Sequence, residues 1–214
     1  HICYNSNIMK TKRPLFYLRR KFDTLLQQWK KRENRLPLII KGARQVGKTE
    51  TIRHFADESY ANFIEINFVE RPEFKEIIRD GFSVDALIRN ISIIDPKLRF
   101  IPDNTLLFFD ELQEFPEIAT ALKFFAQDGR FFVICSGSLL GIQVKRVKSY
   151  SVGFQETETM YSLDFEEFLW GCGYQDTQLD GLLEPIMTRN PFGKAVKDTM
   201  DRHFLDYCVT GGMP

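Results

Sequence analysis

The chain has 214 residues, 43% hydrophobic and 27% charged, with 29 basic residues balancing 29 acidic ones. That length supports one large domain, or one domain and a fragment, with a core that needs no staples, and a net charge of zero singles out no class of partner. No apolar run approaches the roughly 20 residues that span a bilayer, and no signal-peptide pattern opens the chain, so elimination places it in the cytoplasm.

In chain order, residues 1–13 are expected to be disordered or tag-like, since "HICYNSNI" before Met9 has no structural pattern. Pro14 is placed to open a helix, continued by Leu18, Phe22, Leu25, Leu26 and Trp29 at helical spacing. Lys10 to Arg35 holds ten basic residues and two acidic ones, Asp23 and Glu33. Arg19, Arg20, Lys30 and Lys31 then form a basic face, either simply solvated or suited to nucleic-acid phosphates. Leu36 to Lys41 is a strand of the kind buried on both faces, and Thr49 to Ala56 is helical. Asn62 to Phe68 alternates as a strand. Two short helices follow, Pro72 to Arg79 and Ser83 to Ile91, broken at Gly81. Thr105 begins a second buried strand ending in acids. Pro116 opens a helix that Gly129 closes, and Arg130 begins a third buried strand. Tyr150 to Ser162 is irregular, entering a strand near Met160. Phe165 to Trp170 is a short packing helix, to which Glu166 and Glu167 belong, and Gly193 to Val209 is a longer one. His54 is a surface position. Strands alternating with helices predict an α/β fold with a mostly parallel sheet. The cysteines Cys3, Cys135, Cys172 and Cys208 form no C-x-x-C pair and have no histidine cluster, which argues for free thiols rather than zinc.

Three strand ends carry chemistry. Gly42, Gly47, Lys48 and Thr49 fit G-x-x-x-x-G-K-S/T, the pattern of a loop that wraps phosphates with backbone N–H groups. The helix that follows aims its positive dipole end at the same phosphates. Lys48 supplies a charge, and the Thr49 hydroxyl suits Mg²⁺. A glycine turn with an accidental Lys-Thr is the alternative, disfavoured by the strand before and the helix after. Asp110 and Glu111 follow four apolar residues. In P-loop ATPases an Asp at such a position orients Mg²⁺ and an adjacent Glu can polarise the attacking water; a plain polar strand end followed by a loop is the alternative. The third strand ends at Cys135, Ser136, Gly137 and Ser138, where a hydroxyl is placed to sense the γ-phosphate; a plain Ser-Gly turn is the alternative, and sequence does not separate Ser136 from Ser138.

With these ends placed, "GARQVGKT", "LLFFDELQ", "CSGSLLG", "TMYSLDFEEFLW" and "GGMP" resemble the bacterial and archaeal AAA-superfamily ATPases that usually carry a C-terminal domain of unknown function. The likeness spans roughly Pro14 to Pro214. It implies an AAA-type P-loop three-layer sandwich over residues 14–192, with a five-stranded sheet whose P-loop strand is central. It implies ATP as ligand, held by Gly42, Ala43, Arg44, Gln45, Val46, Gly47, Lys48, Thr49 and Glu50. It also implies Mg²⁺ held by Thr49 and Asp110, Glu111 as catalytic acid, Lys48 assisting, and a Ser138 or Ser136 sensor.

Two departures stand out. Relatives often have Gly-Arg or Gly-Lys where this chain has Gly153-Phe154, which leaves Arg146 as the substitute finger toward a neighbouring subunit's ATP, or else a solvated residue of a basic run. Relatives also continue past Gly-Gly-x-Pro, so residues 193–214 are expected to be a helix leading to a lid and further domain that are absent here.

Three functions compete. The first is an ATPase coupling hydrolysis to a change in a partner, as a homo-oligomer or against nucleic acid or protein. The second is a nucleotide-gated binding module with little or no turnover. The third is a phosphotransferase, against which Asp110-Glu111 and the lack of a second substrate motif both argue.

Overall fold

The computed structural model describes residues 17–138 and 153–214. Its elements run α1 (Lys21–Lys30), β1 (Leu38–Gly42), α2 (Lys48–Ser59), β2 (Asn62–Asn67), a 3₁₀ helix (Pro72–Ile78), α3 (Val84–Ile94) and β3 (Thr105–Asp110). Two further 3₁₀ turns, Leu112–Glu114 and Pro116–Ala121, lead into α4 (Leu122–Asp128), and β4 (Phe132–Ser138), β5 (Glu156–Thr159), α5 (Phe165–Gly171), α6 (Asp176–Thr188) and α7 (Lys194–Thr210) complete the order. The five described strands form one sheet in the order β2-β3-β4-β1-β5, with every pairing parallel.

Strand alternation builds a core on each face of that sheet. Ile39, Leu107, Phe109, Val133 and Cys135 point one way, onto α3, α4 and the first 3₁₀ helix. Leu38, Ile40, Leu106, Phe108 and Ile134 point the other way, onto α1 and α2. Both faces are covered, so β1, β3 and β4 read as continuous apolar runs, the expected signature of a buried parallel sheet. The result is the α/β three-layer sandwich anticipated from sequence.

Several expectations are corrected in detail. The P-loop strand β1 is interior but not central; it lies between β4 and β5, and the middle position belongs to β4. The first helix begins at Lys21, after an extended Arg20, where the Asp23 carboxylate accepts the Arg20 backbone N–H at 2.8 Å and closes its first turn. Pro14 lies outside the described residues. The turn after Pro72 and the start of the segment after Pro116 are 3₁₀ rather than α. Helix α6 was not anticipated, because Gly181 and Pro185 lie within it and both oppose a helical reading.

The basic face of α1 is also corrected. Arg20 is only 4% exposed. Arg19 pairs with Asp176 through two hydrogen bonds of 2.9 Å. Lys30 Nζ donates to the Ser59 carbonyl and sits 4.6 Å from the Tyr60 ring centroid. Three of the four cations therefore have partners within the fold, and Arg20 is withdrawn from the face that meets solvent. No helix among the described residues is long and apolar enough to cross a membrane.

Candidate active site

In a parallel sheet the strand C-termini share one edge, so the ends of β1, β3 and β4 converge. The register places Gly42 beside Ser138 and Asn67 beside Asp110. The loop after β1 turns sharply because two positions require it. A Cβ on Gly42 would stand 2.4 Å from the Met160 carbonyl oxygen, where the chain leaving β5 hugs β1 through Met160 N–H to Lys41 O at 2.7 Å. Gly47 has φ +91°, a left-handed conformation that costs glycine little, and it caps α2. Gln45, with φ +63°, contributes a second left-handed turn.

The cleft formed there holds about 350 Å³ and is lined by Arg44, Gln45, Gly47, Lys48, Thr49, Glu50, Asp110, Glu111 and Ser138. Lys48 Nζ donates to the carbonyls of Gly42 (3.2 Å) and Ala43 (2.6 Å), so the side chain lies back across its own loop. Burial lowers the Lys48 pKa, opposed by the nearby charges of Glu111 and Asp110. Asp110 is 4% exposed, and four donors converge on its carboxylate. Oδ2 accepts the Thr49 hydroxyl at 3.2 Å and the Asn67 amide at 3.1 Å. Oδ1 accepts the Ser136 hydroxyl and, at 3.0 Å, the Glu111 N–H.

Glu111 adopts φ +57°, which is uncommon outside glycine and clusters at functional positions. This kink turns Glu111 away from the strand's alternation, and the Gln113 amide donates to its Oε2. Gln113 also accepts the Ser138 backbone N–H at 3.2 Å. The two serines are thereby distinguished by geometry: Ser136 is bonded to Asp110 beneath the cleft, whereas Ser138 lines the cleft itself. Of the remaining phosphate-loop residues, Val46 turns its side chain into the core (2% exposed), and only its backbone belongs to the loop. Glu50 pairs with Arg53 at 2.6 Å. Arg146 lies outside the described residues.

Sequence reasoning missed Asn67 and Gln113. The polar residue closing the alternating run "NFIEINF" was the available signal for Asn67; Gln113 stood inside "LLFFDELQ" without a role. A Thr hydroxyl and an Asp carboxylate 3.2 Å apart form the hard-oxygen donor set that suits Mg²⁺ held mainly by phosphate and water. Among the described residues no group of three or more His, Cys, Asp or Glu side chains is placed to hold a metal by itself.

Residues 34–169, more than half of the chain, match the AAA domain as a family. The chain belongs to that family. This AAA domain thus has the P-loop ATPase architecture that its three strand ends suggested. No curated protein matches its sequence closely enough to count as a relative. Among solved structures it is similar to the Walker-type ATPase PabY2304 of Pyrococcus abyssi, at 18% identity and a TM-score of 0.45, covering 72% of this chain and 58% of that one. It is also similar to PCH-2 of C. elegans, at 14% identity and a TM-score of 0.38, covering 68% and 42%. The chain therefore spans under two thirds of the length of either structure.

Proposed function

We propose that this AAA domain binds ATP with Mg²⁺ and hydrolyses it to ADP and phosphate, coupling the reaction to a change in a partner. The observation that carries the proposal is the grouping of Lys48, Thr49, Asp110 and Glu111 around one cleft at the C-terminal edge of the sheet. The loop amides and Lys48 bind the β- and γ-phosphates. Thr49 and Asp110 would hold the metal, which when bound would neutralise charge developing on the transferred phosphoryl group. Glu111 accepts the proton of a water as its oxygen attacks the γ-phosphorus and the bond to the β-phosphate oxygen breaks. Ser138, which lines the cleft, is the better placed of the two serines to sense the γ-phosphate. A second, mostly apolar cleft of about 610 Å³, lined in part by Tyr17, Leu18, Thr51 and Met213, shares Gln45, Gly47 and Glu50 with the first, which suits a nucleoside whose phosphates lie across the loop.

A second reading, a nucleotide-gated module that turns over little, is favoured by one observation: Gln113 occupies an oxygen of Glu111, the group hydrolysis requires.

Calorimetric titration of ATP–Mg²⁺, with phosphate release followed in the same samples, tests both. Lys48→Ala should weaken binding at least about tenfold, as expected on losing a charge-assisted contact. Glu111→Gln should retain binding and lose about 10²-fold or more in phosphate release. Binding by the unaltered chain with no release would favour the gated module; no binding would overturn both readings.

A further inference from the structure

One buried charge, which lines the mostly apolar cleft beside the loop, has no part in the phosphoryl chemistry just proposed. Arg20 is 4% exposed, as is Glu167, and the two pair at 3.2 Å through Arg20 Nε. The other two nitrogens of the guanidinium each grip a backbone carbonyl: Nη1 donates to Val46 O and Nη2 to Tyr161 O, both at 2.7 Å. Glu167 is fully engaged as well. Its Oε1 accepts the Lys21 N–H at 2.7 Å, and its Oε2 accepts the Asp164 N–H at 3.0 Å, at the start of α5. Burying such a pair costs heavy desolvation, and apolar replacements are often as stable. Stability alone is therefore a weak reason for it.

What the pair grips supplies a better one. The Val46 carbonyl and the Gly47 N–H belong to one trans peptide, so they point in opposite directions. An Arg holding the carbonyl on one side fixes the N–H on the other. Gly47, at φ +91°, has the freedom to rotate that peptide, and so needs an external hold. A hydrogen bond from a cation to the carbonyl also polarises the amide and strengthens the N–H as a donor. The space is closely fitted: a Cβ on Gly47 would lie 3.4 Å from Arg20 Nη1 and 3.2 Å from Pro214 Cγ.

We propose that Arg20 is a positioning residue for the phosphate loop. It sets the Val46–Gly47 peptide so that the Gly47 N–H faces the phosphates, and Glu167 anchors it to α5, making the loop's readiness depend on the packing of that helix. This rests on the nucleotide reading above, and the test separates the two.

ADP–Mg²⁺ is titrated into the unaltered chain, Arg20→Gln and Arg20→Lys, at a temperature where circular dichroism shows each folded, and the Gly47 amide proton is followed by NMR. Arg20→Gln should raise the Kd about tenfold or more, the order expected for loss of a hydrogen bond to a charged group. Arg20→Lys, which retains the charge without the fork, should fall between. The downfield movement of the Gly47 amide on adding ADP should shrink in the same order, which a merely structural role would not produce. If Arg20→Gln does not fold, the Arg20→Lys result decides alone. Affinities within twofold of the unaltered chain, with an unchanged Gly47 shift, would overturn the inference while leaving nucleotide binding intact. Failure of the unaltered chain to bind ADP would overturn the nucleotide reading, and this inference with it.

Discussion

Gly42 shows how much a missing side chain can fix. Its place in the phosphate-loop pattern is visible in the sequence, but its steric reason is not. The reason is the Met160 carbonyl, 2.4 Å from where a Cβ would stand, just past the end of β5 and more than a hundred residues later. Because the obstacle is backbone, Gly42→Ala should push β5 away from β1 and cost about 1–3 kcal/mol, the usual range for overpacking. Urea unfolding of the two proteins would measure it, and equal midpoints would show that the strands yield freely. Asp110 and Thr49 are the converse case. Their residue types were legible because the chemistry restricts the choices, and the structure brings them to 3.2 Å. Asn67 and Gln113 were not legible, because an amide that orients another side chain leaves no pattern of its own.

At the scale of elements, the buried strands were the most readable. A parallel strand covered on both faces must be apolar throughout, so β1, β3 and β4 stand out as short continuous runs. Glycine and proline punctuation placed several other boundaries, including Gly129, whose φ of +72° closes α4. Helix ends set by ion pairs were less visible. Arg71 donates to Asp95 at 2.9 Å, clipping the first 3₁₀ helix to the end of α3, and it lies 4.3 Å from the Phe74 ring centroid. The Arg71 hydrogen bond holds the Asp95 carboxyl below its ordinary value. A depressed folded pKa contributes stability that is present above the unfolded value of about 3.9 and disappears as pH falls through the folded one. Asp95→Asn should therefore cost up to about 1 kcal/mol at pH 7, a figure discounted for partial exposure, and progressively less as pH falls below the unfolded value. Denaturant titrations at pH 7, 5 and 3 would check this, and a cost independent of pH would show that charge is not its source.

At the scale of the whole molecule, the phosphate loop is the meeting point of distant parts of the chain. Arg20, Met160 beyond β5 and Pro214 all lie against it, and Tyr161 holds Arg20 through its carbonyl. Leu163 N–H donates to Gly212 O at 2.6 Å, and a Cβ on Gly212 would be 2.3 Å from the Leu163 carbonyl, so the Gly-Gly-Met-Pro stretch docks closely beside α5. A ligand bound at such a junction should stabilise the whole fold. Saturation with ATP–Mg²⁺ at about 100 times its Kd should add about 2.7 kcal/mol, a rise of several degrees in Tm for a domain of this size. Thermal unfolding with and without nucleotide would show it, and an unchanged Tm at saturation would count against binding to the folded state.

The sequence by itself determined the α/β class, the buried strands, the phosphate loop and the acidic strand end, because periodicity and residue chemistry are local properties. Only the tertiary structure decided that β4 rather than β1 is central, that Arg20 is enclosed rather than displayed to solvent, and that Glu167 of the short packing helix is its partner. Strand order and the pairing of buried charges depend on contacts between residues far apart in the chain. Arg20 and Glu167 are separated by 147 positions, and no local pattern encodes a meeting at that distance.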